Sequence, residues 1–181
     1  MRIRFLPVAL LFLGAPLAAQ QHQMHAGEHQ MDHGLVTAVR SIYDGVKNNV
    51  VRAAEAMPEE HFAFKPTADV RSFGQLLGHI ASANYNYCAI ALGETSPNST
   101  DIEETATTRA ALLEALKASF TYCDKAYAIP DMKAMEMATI MRAERPRMWA
   151  LVQNASHDNE HYGNIVTYMR LKGLTPPSSM R

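Results

Sequence analysis

Apolar residues recur at three- and four-residue steps along nearly the whole chain beyond residue 34, and this period leaves little room for anything but helices. Leu35, Val39, Ile42, Val46, Val50 and Ala53 form one stripe, which has to end before Pro58. A second helix is predicted from Ser72, a good N-cap, to Gly93, a stop signal. A third covers roughly 105–127, with Leu113, Leu116, Phe120, Cys123 and Tyr127 on one side. A fourth opens near Pro146 and stops at Lys172-Gly173, ahead of Pro176-Pro177. No window alternates like a strand bounded by turn pairs. Four helices of about 20 residues, each with one stripe to bury, predict an all-α four-helix bundle over residues 35–178.

Composition removes several function classes. An apolar share of 48% against 19% charged residues suits a globular domain and excludes a disordered chain. A formal charge of −1 supplies no field for nucleic acid or anionic lipid, so neither is expected as a partner. Two cysteines exclude a Cys-rich scaffold and a Cys-based zinc finger.

The first residues read as an address. Arg2 and Arg4, the apolar run from Phe5 to Leu13 and the Leu17-Ala18-Ala19 end predict a signal peptide over residues 1–19. The run is about half the roughly 20 residues that a bilayer span needs. No Cys near the cleavage point offers a lipid anchor, and no later segment reads as membrane-spanning. A periplasmic or secreted location, with no membrane attachment, is the expectation. Residues 20–34 hold His22, His25, His29 and His33 with Met24 and Met31 and no apolar period, so they predict a disordered tail with weak metal affinity.

The connections differ in character. Asn98-Ser99-Thr100 matches a glycosylation acceptor in an exposed loop. Met132, Met135, Met137 and Met141 read first as gap-fillers of a helical core, with copper handling as the sharper alternative. Arg142, Arg145 and Arg147 read as a solvated turn, while Trp149 and Tyr168 flank the histidine region and either line a pocket or simply pack.

Histidine placement carries the chemistry. His157 and His161 lie one turn apart and about 40° apart on the wheel, so both imidazoles can reach one point. Leu151, Ile165 and Met169 continue their arc, which turns the pair inward. His79 shares a face with Leu76, Ile80, Ala83 and Tyr87, and small neighbours such as Gly78 leave room beside it. Three inward histidines match an open metal site; core histidines bonded to carbonyls or carboxylates are the plain alternative. Asp158 follows His157, so this is not the H-E-x-x-H motif, and Glu160 sits too far round the helix to be a good base.

The stretch from His157 to Gly173, HDNEHYGNIVTYMRLKG, with Thr175-Pro176-Pro177-Ser178-Ser179, closely resembles the end of DinB-like (YfiT-like) proteins. Phe73-Gly74-Gln75-Leu76-Leu77-Gly78-His79-Ile80-Ala81 resembles their second helix. The resemblance implies a metal triad at His79, His157 and His161. It also implies an up-down-down-up bundle with a crossover between helices 2 and 3. Family members include thiol-dependent S-transferases, isomerases and metal-dependent hydrolases.

That topology bears on the cysteines. Cys88 and Cys123 each lie about four residues from a predicted helix end. Antiparallel helices would hold them roughly 20 Å apart, and parallel ones at one level. The parallel arrangement implied by the resemblance thus implies a Cys88–Cys123 disulfide, against two buried free thiols. A twelve-residue crossing reaches about 40 Å, enough to climb a helix of about 31 Å. The functional expectation is a divalent-metal-dependent hydrolase or transferase acting on a small molecule. Zinc is the default, with nickel, iron and manganese as alternatives, and a homodimer is open. A non-catalytic, copper-handling protein working through the tail is the competing class.

Overall fold

The computed structural model describes residues 34–180, so the signal-peptide reading and the tail histidines and methionines lie outside the described residues. The described chain is mostly helical. Its elements are α1 (Gly34–Ala56), α2 (Phe73–Leu92), α3 (Ile102–Thr105), α4 (Arg109–Ala126), α5 (Asp131–Ala134), β1 (Met137–Ile140), β2 (Ala143–Pro146) and α6 (Met148–Leu171). Among the described residues no helix is long and apolar enough to cross a membrane.

Local signals place the helix ends. Ser72 and Gln75 form a reciprocal capping box at the start of α2, and Gly93 ends it in the left-handed region at φ 77°. Thr108 caps α4 through the Ala111 N–H. The α1 start is capped from far away: the Asp131 carboxylate accepts the Leu35 and Val36 N–H groups at 2.9 Å each. The third predicted helix starts about four residues later than expected, at Arg109, and the crossing before it carries the separate single turn α3.

α2 packs against α4 and α6, and α1 against α6 and α4. Between α2 and α4, Asn84 meets Ser119 and Cys88 is bonded to Cys123, so both chains advance together. The Cys88–Cys123 disulfide has its Cα atoms 5.2 Å apart. Between α2 and α6 the order reverses: His79 meets His157 and His161, Asn84 meets Asn154, and Tyr87 meets Trp149. A buried polar chain runs through the core, with Asn154 donating to Asn84 at 2.7 Å and Tyr127 donating to Asn154 at 2.9 Å.

Four expectations need correction. The first part of the α1 stripe is turned: Leu35 and Ile42 are exposed and Val36 and Tyr43 are buried in their place, while Val46, Val50 and Ala53 are buried as expected. Tyr43 is drawn inward because its hydroxyl donates to the Phe120 carbonyl and Asp124, while its ring stacks on Tyr127 at 3.9 Å. Second, β1 and β2 form an antiparallel hairpin where no strand was expected. Its two-residue turn uses Met141 and Arg142 at φ 50° and 65°, left-handed positions normally signalled by Asn or Gly. Third, Met132, Met135, Met137 and Met141 are exposed rather than core-filling, since this α5–hairpin segment turns Ala134 and Ile140 inward instead. Fourth, Arg145 and Arg147 are engaged. The Arg145 guanidinium covers the Trp149 ring at 4.5 Å, and Arg147 donates to the Ile90 carbonyl and pairs with Glu136.

Candidate metal centre

α2 and α6 run alongside each other so that His79 faces His157 and His161. The Nε2 atoms converge: His157 Nε2 is 3.1 Å from that of His79 and 3.1 Å from that of His161. All three ligand nitrogens lie within 4.8 Å of one another. Metal–imidazole bonds of about 2.0–2.1 Å put ligand nitrogens roughly 2.9 Å apart in a facial octahedral site and about 3.4 Å in a tetrahedral one. Both 3.1 Å separations fall inside that interval.

Each ring also backs its other nitrogen onto an oxygen. His79 Nδ1 is 3.5 Å from Glu103 Oε2, and His157 Nδ1 is 3.5 Å from Asp158 Oδ1. His161 Nδ1 is 3.2 Å from Asn164 Oδ1. Burial holds the His79 imidazole down to about 4, helped by Arg71 and the other two histidines, and it also lowers His161. Both rings are therefore neutral at pH 7, as metal ligands have to be.

Asp158 supplies the test of whether a cation fits. Its carboxyl is fully buried, and beyond the 3.5 Å approach of Oδ1 to His157 Nδ1 neither oxygen has a hydrogen-bond partner. Burial raises this carboxyl to about 6, against the pull of His157. A buried carboxylate facing only a neutral imidazole is costly. A metal on the far side of the His157 ring would supply the opposite charge, which is the carboxylate–histidine–metal arrangement of many metal sites. The donor set and this poorly compensated carboxylate fit a cation.

Two cavities open from the centre. One of about 550 Å³ lies against His79 and His157 and is lined by Ser82, Asn86, Tyr87, Asn98, Thr100 and Met141. Another of about 500 Å³ lies against His161, with Gln75, Asn164 and Tyr168. Arg71 and Glu103 border both. Asn98 and Thr100, read from sequence as a glycosylation acceptor, are thus part of a cavity wall. Tyr168 lines a cavity and donates to the Arg71 carbonyl at 2.8 Å, whereas Trp149 packs on Tyr87. Glu160 is exposed on the outer face. The sequence carries no direct sign of Glu103, marks Met141 only as one of four methionines and not as part of a cavity wall, and shows Asp158 only as a departure from a motif. Gly78, directly before His79, was the one available pointer to Glu103.

The model of the DinB superfamily matches residues 42–165. The fold resembles the crystal structure of a DinB-like protein from Bacillus subtilis, with TM-score 0.60 and 19% identity over 80% of this chain and 99% of that one. It also resembles a DinB-like protein from Bacillus cereus, with TM-score 0.66 and 16% identity over 77% of this chain and 93% of that one. At these identities the likeness concerns the fold. No curated protein matches the chain.

Proposed function

The chain belongs to the DinB superfamily, and from that premise we propose that it is an exported metalloprotein in which His79, His157 and His161 hold one divalent ion. The reading is a hydrolase or transferase acting on a small molecule, with zinc as the first candidate metal. The observation that carries it is the convergence of three Nε2 atoms in front of two carboxylates, Asp158 and Glu103. Neutral ligands backed by two negative charges match a dication better than Cu(I). When bound, the ion would supply a Lewis acid that lowers the pKa of a water or thiol. Asp158 and Glu103 would orient their imidazoles, and the polar wall of Asn86, Asn98 and Thr100 would position a substrate.

We read the four long helices as an up-down-down-up bundle. The shared advance of α2 and α4 supports this, as does the reversed order of α2 against α6. The Cys88–Cys123 bond suits the oxidising compartment that a cleaved leader would reach.

Elemental analysis of the purified mature protein, with and without residues 20–34, tests the site. Metal should persist without the tail and vanish in His157→Ala. Loss of all metal on tail removal would refute the reading in favour of tail-based binding. A screen of hydrolase and thiol-transfer substrates on the metal-loaded protein then tests catalysis.

A further inference from the structure

The carboxylate behind His79 comes from a segment that shares no helix with any of the three histidines. Glu103 lies on α3, the single turn carried by the crossing between α2 and α4. Its Oε2 is 3.5 Å from His79 Nδ1, and both of its oxygens accept from Arg71 Nε at 3.0 Å. Three features seat it there. Gly78 has no side chain where the crossing passes: a Cβ would lie 2.7 Å from Glu103 Cα and 2.9 Å from its nitrogen. One turn along α2, Ser82 Oγ accepts the Ile102 N–H at 3.2 Å. The Asp101 carboxylate accepts the Glu103 N–H at 2.9 Å. The crossing is thus tied to α2 at a separation that only glycine at position 78 allows without displacement.

We infer that Glu103 is a positioning residue for the metal centre, placed by the crossing so that its carboxylate keeps the His79 proton on Nδ1 and leaves the Nε2 lone pair for the metal. The inference rests on the reading of His79, His157 and His161 as ligands. A neutral imidazole offers one lone pair, and the partner of the other nitrogen decides which one it is. A carboxylate in that place also makes the ligand more basic. Arg71 acts in the opposite sense, since its positive charge sits against the same carboxylate and opposes a cation beside it while it holds that carboxylate in place. The two members of this ion pair therefore have opposite effects on the metal, which a simple structural brace would not produce.

The test is Zn²⁺ affinity of the full mature chain, by competition with a chromophoric chelator, for wild type, His157→Ala, Glu103→Gln and Arg71→Gln, with helicity recorded for each. Zinc bound by wild type and lost in His157→Ala upholds the ligand reading; a His157→Ala chain with wild-type affinity refutes that reading and the inference with it. Given a working site, Glu103→Gln should weaken binding about 10–100-fold, and Arg71→Gln should bind at least as tightly as wild type. Wild-type affinity in Glu103→Gln would overturn the inference alone, and so would an equal loss in Arg71→Gln. Should Glu103→Gln lose its helices, ¹⁵N NMR of zinc-loaded wild type still decides: the His79 proton belongs on Nδ1, and a proton on Nε2 would overturn the assignment.

Discussion

Replacing both cysteines, Cys88→Ala with Cys123→Ala, should destabilise the protein by an amount that follows from the chain it ties. The bond joins residues 35 apart in sequence, both fully buried, across the crossing that carries α3. Cross-linking a loop of that length removes about 13 cal/mol/K of entropy from the unfolded chain, or about 4 kcal/mol at 25 °C. The 5.2 Å Cα separation lies within the usual disulfide range, so α2 and α4 need not shift to form the bond. In a chain of this size the loss corresponds to a drop of roughly 8–16 °C in Tm. Urea denaturation followed by circular dichroism gives the value directly, with thiol counting on unreduced wild type to establish that the bond is present. If the bond is present and the double variant loses less than about 1 kcal/mol, the entropic reasoning is wrong. Two free thiols in wild type would reject the bond itself.

Two further outcomes follow from the core. Asn84→Ala removes the acceptor of Asn154 Nδ2 and a donor to Ser119 in a fully buried network, and should cost about 1–3 kcal/mol by urea denaturation; a change within about 0.5 kcal/mol would show the network to be dispensable. Burial, reinforced by the nearby Asp124 and Asp158 charges, raises Tyr43 and Tyr127, and burial with the Glu94 contact pushes Tyr122 up to about 12. Raised folded-state values mean that this stability is complete below about pH 10 and is lost as pH climbs beyond it. In an absorbance titration Tyr43 and Tyr127 should ionise only as the helices melt, and all seven tyrosines titrating near pH 10 in a still-helical chain would contradict this.

What the sequence discloses depends on how local the cause is. The ends of α2 are legible because Ser72, Gln75 and Gly93 act within one turn of themselves. His157 and His161 are legible for the same reason, since an i, i+4 pair on a helix faces one way whatever the surroundings. The hairpin is not legible, because its left-handed turn is made by Met141 and Arg142, residues that carry no turn signal. Nor is the burial of Tyr43, which depends on a carbonyl and a carboxylate of another helix. Asp158 shows the intermediate case. Its identity is plain in the sequence, but its meaning requires knowing that it is enclosed where its charge also raises Tyr43, Tyr87 and Tyr127. Glu103 is the extreme: its approach to His79 exists only because the crossing lies flush on Gly78, a residue that from sequence reads merely as small. The inward facing of the candidate ligands is thus written in short-range periodicity. The carboxylates that would tune them are set by burial and by the route of the chain, and a one-dimensional pattern records neither.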